Sequence, residues 1–148
     1  MKICLVASGG GHLKEITFID GFYKKHEHFF VTFERPNSLD LSKKEKVYFI
    51  TDPKRNLFKL IKNIFHSIKI FLKEKPDIII STGAGVAVPF CFVGKIFRKK
   101  IIFIESFCRT EKPSLTGRIL YPISDLFIVQ WKKLKTYFPK AIYGGTLV

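Results

Sequence analysis

The sequence predicts an α/β fold, a doubly wound and mainly parallel sheet with helices on both faces. Short apolar runs alternate with longer stretches in which apolar residues recur at helical spacing, through most of the 148 residues. The apolar runs are nearly continuous, which is typical of parallel strands buried on both faces. Two of them end in glycine-containing turns ahead of a helix, where ligands commonly bind in this fold class.

Composition limits the classes of protein that the chain can belong to. Hydrophobic residues make up 47% of the chain, which favours a folded core over disorder. No linker or repeat divides the sequence, so we predict one domain over residues 1–148. The three cysteines are far apart and form no metal-ligand pattern with histidine, so we expect a reduced, cytosolic chain without a metal site. We also expect no cofactor.

The elements follow from this pattern in chain order. The predicted strands cover residues 3–7, 29–33, 47–50, 78–80, 101–104 and 126–129, with a last strand near Ile142. The predicted helices cover residues 12–25, 57–73, 86–97 and 115–121, and a further helix starts near Lys132. The polar stretch 34–46 is rich in turn residues and is predicted to be an exposed loop.

The first glycine turn, Ser8-Gly9-Gly10-Gly11, separates the first strand from the first helix. Glycines let backbone N–H groups approach an anion, and the positive end of a helix dipole favours it. The spaced glycines of a dinucleotide-binding turn are missing, and so is the lysine of a P-loop. A turn that only needs positive φ angles is the alternative, but three successive glycines favour a ligand.

His12 follows this turn directly and can act as a general base beside the anion. The alternative is a histidine that only caps or lines the turn. The other three histidines have no neighbouring residues that indicate a site, so we interpret them as surface residues.

Two further segments are predicted to meet the first turn at the carboxyl edge of the sheet. The turn 81–85 contains Gly83 and Gly85, although close packing of a helix on the sheet also requires glycine. The segment 105–114 follows a buried strand with Glu105, Ser106 and Arg109, and Arg109 can bind phosphate through two hydrogen bonds.

The net charge of +14 indicates a polyanionic partner, either a membrane surface or nucleic acid. No nucleic-acid-binding signature is present, so we expect an anionic membrane surface and no nucleic acid. The helix 57–73 is the predicted contact, because apolar residues cover more than one stripe and lysines accompany them. The residues chosen for this contact are Phe58, Lys59, Lys62, Phe65 and Lys69. A purely core helix is the alternative.

We expect membrane contact from the surface. No run of about 18 apolar residues occurs, so no spanning helix is predicted. Met1 and Lys2 lead directly into the first strand, which is too short to form a signal peptide.

Several motifs together resemble a known family. SGGGHLKE, STGAGVAVPF, ESFCR and SLTGRILYPISDLFIVQW occur in this order along nearly the whole chain. They resemble the acceptor-side subunits of split N-acetylglucosamine-type transferases, specifically bacterial and archaeal polysaccharide-biosynthesis relatives of the asparagine-linked-glycosylation subunit. Eukaryotic members carry an N-terminal membrane anchor, whereas this sequence starts at the first strand, so the resemblance implies peripheral attachment at the cytoplasmic face.

The resemblance implies the Rossmann-like N-terminal half of a GT-B glycosyltransferase. Such a subunit binds a polyprenyl-diphosphate-linked sugar, while a separate partner subunit binds the UDP-sugar donor. The active site forms between them, so this chain is expected to be inactive or nearly so alone. His12 or Glu105 would be the base, with His12 preferred because a diphosphate repels a carboxylate. Ser8 and the glycines of both turns, with Ser106 and Arg109, would bind the diphosphate. The alternative function is a non-catalytic scaffold that recruits and activates a partner transferase.

Overall fold

The strands form one sheet in which every neighbouring pair is parallel. The computed structural model describes all residues from Met1 to Val148. The strand order is β3-β2-β1-β4-β5-β6-β7, which confirms the predicted doubly wound, Rossmann-like class. The strands are β1 (Lys2–Ala7), β2 (Glu27–Thr32), β3 (Val47–Phe49), β4 (Ile78–Gly83), β5 (Lys100–Ile104), β6 (Leu126–Val129) and β7 (Ile142–Tyr143).

Helices cover both faces of this sheet. They are α1 (Gly11–Thr17), α2 (Asp20–Tyr23), α3 (Pro36–Ser42), α4 (Leu57–Glu74), α5 (Ala87–Ile96) and α6 (Leu115–Leu120). Two 3₁₀ helices cover Tyr121–Ile123 and Lys132–Thr136. The larger core lies between the sheet and α4, α5 and α6, and the smaller core lies under α1 and α2 on the opposite face.

The region 34–46, predicted to be a loop, instead contains the helix α3. Pro36 occupies the first turn, where its missing N–H costs no hydrogen bond. The Ser38 hydroxyl accepts from the Arg35 amide at 2.8 Å and donates to the Phe33 carbonyl at 2.8 Å. Residues that are typical of turns thus start a helix here, because the same side chains also cap helices.

Two predicted helices also differ from the structure. The segment 12–25 is broken into α1 and α2, and the Thr17 hydroxyl donates to the Lys14 carbonyl at 2.6 Å where α1 ends. Such side-chain bonds compete with the helical pattern. The segment after Lys132 forms a 3₁₀ helix of five residues.

Strand β4 is three residues longer than predicted, since it continues through Ser81 and Thr82 to Gly83. The second turn therefore begins at Gly83, directly beside the end of β1. This places the two glycine turns next to each other at the carboxyl edge of the sheet.

Candidate functional site

Ser8 joins the two glycine turns. Its amide donates to the Gly83 carbonyl at 2.8 Å, and its hydroxyl accepts from the Ala84 amide at 3.0 Å. The Ser8 carbonyl accepts from the Leu13 amide at 3.0 Å, which fixes the start of α1. The two turns therefore lie side by side, and their use as one binding site stays a prediction.

The three glycines of the first turn have different roles. Gly10 has a φ angle of 95°, which favours glycine, and the Asn37 side chain holds its amide and its carbonyl at 3.0 and 2.9 Å. Gly9 packs so closely on Arg35 that a Cβ atom would lie 2.6 Å from the Arg35 Cγ. Gly11 has no atom near its Cβ position and thus borders open space.

Three backbone amides at this turn make no hydrogen bond within the chain, and they belong to Gly9, Gly11 and His12. Unpaired amides of this kind are the groups that bind phosphate oxygens in glycine-rich turns. The Gly10 amide, predicted to bind the diphosphate with the other glycines, instead donates to the Asn37 side chain.

His12 is held in one orientation by β4. Its Nδ1 lies 2.8 Å from the Thr82 carbonyl oxygen, and the Thr82 hydroxyl donates to the His12 carbonyl at 2.7 Å. Because a carbonyl oxygen only accepts, Nδ1 carries the proton, and Nε2 of the neutral ring has a free lone pair. The ring also lies against Gly83, where a Cβ atom would be 3.4 Å away.

Glu105 is in a different environment from His12, although both were candidate bases. Its side chain is only 1% exposed. Its carboxylate accepts from the Ser106 and Ser114 amides, each at 3.0 Å, and from the Ser114 hydroxyl at 2.8 Å. In this structure the carboxylate holds the loop 105–114 to α6, whereas the His12 ring is partly exposed, so His12 stays the preferred candidate base.

Glu15 and Gln130 are buried residues of this edge that the sequence analysis missed. The Glu15 carboxylate is 6% exposed and accepts from the Ser106 hydroxyl at 2.8 Å and from Gln130 Nε2 at 3.2 Å. Gln130 Nε2 also donates to the Glu105 carbonyl at 3.0 Å. These bonds tie α1, the end of β5 and the end of β6 together behind the two turns.

The two candidate phosphate ligands of the loop 105–114 are placed differently. Ser106 is buried, and its hydroxyl serves Glu15 and the Cys108 amide, so it is engaged in structure. Arg109 is exposed and its guanidinium forms no ion pair, which leaves it available for an anion. Gly85, in the second turn, borders open space.

Helix α4 exposes apolar side chains beside basic ones. Phe58 is 82% exposed and Phe65 is 68% exposed, whereas Asn63 and Ser67 are fully buried. The exposed apolar residues of α4 are Leu57, Phe58, Ile61, Ile64, Phe65 and Leu72. Lys59, Lys62 and Lys69 are also exposed. No helix of the chain has both the length and the apolar character needed to span a bilayer.

Comparisons with known proteins identify the family to which the chain is similar. Residues 53–147 match the model of the family described as "Oligosaccharide biosynthesis protein Alg14 like". The human UDP-N-acetylglucosamine transferase subunit ALG14 is 31% identical, in an alignment covering 100% of this chain and 83% of the human protein. The rat subunit is 39% identical over 63% of this chain, and the match spans only 46% of the rat protein.

A solved structure agrees with the fold. MurG of Acinetobacter baumannii superposes with a TM-score of 0.73 at 15% identity, over 89% of this chain and 42% of the MurG chain. This likeness shows that the chain shares its fold with part of the longer MurG chain. The family match covers more than half of the sequence, and the alignment with the human relative covers more than two thirds of that protein. The chain therefore belongs to the Alg14-like family of oligosaccharide biosynthesis proteins.

Proposed function

We propose that this chain is the acceptor-binding subunit of a two-component UDP-sugar glycosyltransferase. The human and rat relatives are named as subunits of a UDP-N-acetylglucosamine transferase, which supports a role in such a complex. The observation that carries the proposal is His12, whose Nε2 has a free lone pair beside three unpaired backbone amides.

The acceptor is a sugar linked to polyprenyl diphosphate. Its diphosphate accepts from the amides of Gly9, Gly11 and His12, and Arg109 approaches from the loop 105–114. Ser8 and Gly83 form the junction beneath the diphosphate, and Gly85 leaves space beside it. Ser106 contributes indirectly, because its hydroxyl positions this loop on Glu15.

The transfer inverts the anomeric carbon of the donor. The acceptor hydroxyl attacks that carbon while its proton moves to His12 Nε2. The bond between the same carbon and the diphosphate of UDP breaks, and UDP leaves. The donor is a UDP-sugar held by the partner subunit, since this chain has neither a spaced glycine fingerprint nor a P-loop lysine. Neither subunit is active alone.

The subunit works at the cytoplasmic face of the cell membrane as a peripheral protein. The exposed phenylalanines of α4 enter the lipid interface, and Lys59, Lys62 and Lys69 contact anionic head groups. The net charge of +14 strengthens this attraction.

Reconstitution tests the proposal. The chain, its donor-binding partner and their mixture are each assayed with labelled UDP-N-acetylglucosamine and membranes that contain polyprenyl-diphosphate-linked sugar. We expect product only from the mixture. Turnover by the partner alone, which this chain merely accelerates, would instead favour the scaffold function.

A substitution in the glycine turn separates these two functions further. Gly11→Ala adds a methyl group where nothing lies within 4 Å, so the fold should tolerate it while the diphosphate loses space. We expect a higher KM for the acceptor. Gly21→Ala, in similarly open space on α2, is the control. A scaffold would be insensitive to both changes.

A further inference from the structure

A cleft of about 600 Å³ lies at the carboxyl ends of β2 and β3, and nothing described so far uses it. We name it the β2–β3 cleft. Its polar lining consists of Glu34, Arg35, Thr51, Asp52, Lys54 and His66. Phe33 and Phe49 supply its apolar walls. The volume suits a ligand of one or two sugar rings.

Several polar groups of the cleft have no partner in the protein. Nδ1 of His66 is buried without a hydrogen bond, and only one other buried side-chain atom in the chain shares this state. The side chains of Glu34 and Arg35 form no ion pair, and the Asp52 carboxylate accepts only from the Lys54 amide at 3.2 Å. Glu34 and Arg35 are exposed, so their side chains are free to bind a ligand in the cleft.

The charge of the lining selects the class of ligand. Two carboxylates, Glu34 and Asp52, balance the two cations Arg35 and Lys54. A phosphate group would meet both carboxylates, whereas a neutral polyhydroxy ligand can donate to the carboxylates and accept from the cations. The cleft is therefore chemically unlike the glycine turn, where three unpaired backbone amides are donors.

We propose that the β2–β3 cleft binds an uncharged carbohydrate. Its identification as the sugar part of the lipid-linked acceptor rests on the proposed function. Arg35 connects the two places, since its side chain packs on Gly9 of the diphosphate turn while it lines the cleft. An acceptor can thus contact the turn with its diphosphate and the cleft with its sugar.

Nuclear magnetic resonance on the 148-residue chain tests this without partner or lipid. The probes are methyl glycosides of glucose, galactose and N-acetylglucosamine, with inorganic pyrophosphate as the anionic comparison. We expect at least one glycoside to shift the His66 ring signals and the Thr51 amide, with a dissociation constant on the order of 1 mM. Pyrophosphate should leave these signals in place and shift those of the glycine turn.

The proposal is overturned if no glycoside shifts the cleft signals, or if pyrophosphate shifts them and the glycosides do not. Glu34→Gln, at an exposed position, should weaken glycoside binding at least several-fold, and His66→Phe should do the same. Asp20→Asn, an exposed carboxylate on α2 paired with Lys24, is the control and should bind normally. If both Glu34→Gln and His66→Phe bound the glycoside as tightly as the wild type, the assignment would also be refuted.

The outcome of this experiment can be distinguished from the outcome of the transferase assay. Glycoside binding by a chain that gives no product with its partner would support the cleft and refute the transferase role. If the complex were active but no glycoside shifted the cleft signals, the transferase role would be supported and the cleft assignment refuted.

Discussion

His12 is the residue on which the chemistry of the site depends. The Thr82 carbonyl accepts a hydrogen bond from Nδ1 and so fixes the tautomer, because the bond made by one ring nitrogen determines the state of the other. Gly83 leaves room for the ring. The orientation comes from backbone groups of a neighbouring strand, so it does not depend on another side chain.

We predict that His12→Ala in the reconstituted complex lowers kcat by about 10²- to 10⁴-fold, because the acceptor hydroxyl loses its base. The KM for the UDP-sugar should change little, since the donor binds the partner. Steady-state kinetics over a range of pH would check both parameters. His26→Ala, at the contact with Phe22 in α2, is the control. Undiminished kcat in His12→Ala would remove His12 from the reaction.

Glu105 gives the contrasting prediction, which concerns stability. Glu105→Gln places an amide N–H₂ group among donors from Ser106 and Ser114, so buried donors lose their acceptor. We expect the free energy of unfolding to fall by about 1–3 kcal/mol in urea titrations. Glu111→Gln, an exposed carboxylate in the same loop, should change it by less than about 0.5 kcal/mol.

The protein that remains folded in Glu105→Gln should retain its turnover when complexed with the partner. A large loss of kcat at unchanged stability would return Glu105 to the role of base.

Sequence patterns predicted the residues of the candidate site but not the burial and partners of each. The glycines and His12 could be found because turn chemistry is local in sequence. The burial of Glu15 and Glu105 could not, because their partners Gln130 and Ser114 are distant in sequence or on another element. A glutamate on the polar side of a helix has no local signal of burial.

Among the elements, α4 was predicted nearly to its ends, as residues 57–73 against Leu57–Glu74. Its periodicity did not reveal which stripe faces solvent. The buried side includes Asn63 and Ser67, and Asn63 donates to the Thr51 carbonyl at 2.8 Å. The helix thus turns these polar residues toward the protein and exposes Phe58 and Phe65. Nearer its C-terminal end, Ile70 and Phe71 are buried in the core.

We predict that Phe58→Ser with Phe65→Ser reduces binding of the chain to vesicles of anionic phospholipid at least several-fold, because these side chains supply the apolar contact. Flotation of the purified chain measures the bound fraction. Phe22→Ser is the control, since Phe22 is 44% exposed on α2 at the opposite face of the sheet. Equal flotation of the double variant and the control variant would place the membrane contact elsewhere.

Across the whole molecule, alternating apolar runs and helical spacing sufficed to predict the parallel sheet. Strand order followed only from the structure, because a run such as β1 gives no information on its neighbours. Residues 34–46 were misassigned, since Pro36 and Ser38 favour both turns and helix starts. A single sequence does not distinguish these uses.

Glu74 connects three parts of the molecule and gives the stability its pH dependence. Lys2 of β1 lies 3.2 Å from its carboxylate, and Lys46 and Tyr48 approach it from the region of β3. Burial of the Glu74 carboxyl group acts to raise its pKa, but hydrogen bonds from Lys46, Tyr48 and Lys2 outweigh burial and lower the pKa to about 2.

A carboxyl group with a lowered pKa stabilises the fold above its unfolded pKa of 4.5. We predict that about 3 kcal/mol of stability is lost as the pH falls from about 5 to about 2. Urea titrations at a series of pH values would measure it. Glu74→Gln should flatten this part of the profile, and the exposed Asp40→Asn should not. A profile of Glu74→Gln parallel to the wild type would exclude Glu74 as the cause.

The central position of β1 has a consequence for how the chain is made. Residues 3–7 leave the ribosome more than 70 residues before β4, which pairs with one edge of β1, and they have no exposed surface in the folded chain. Until β4 has been synthesised, that edge presents unpaired backbone groups and apolar side chains to the cell. The nascent chain is therefore most prone to aggregate while α4 is emerging, and its sheet is completed outward from the middle.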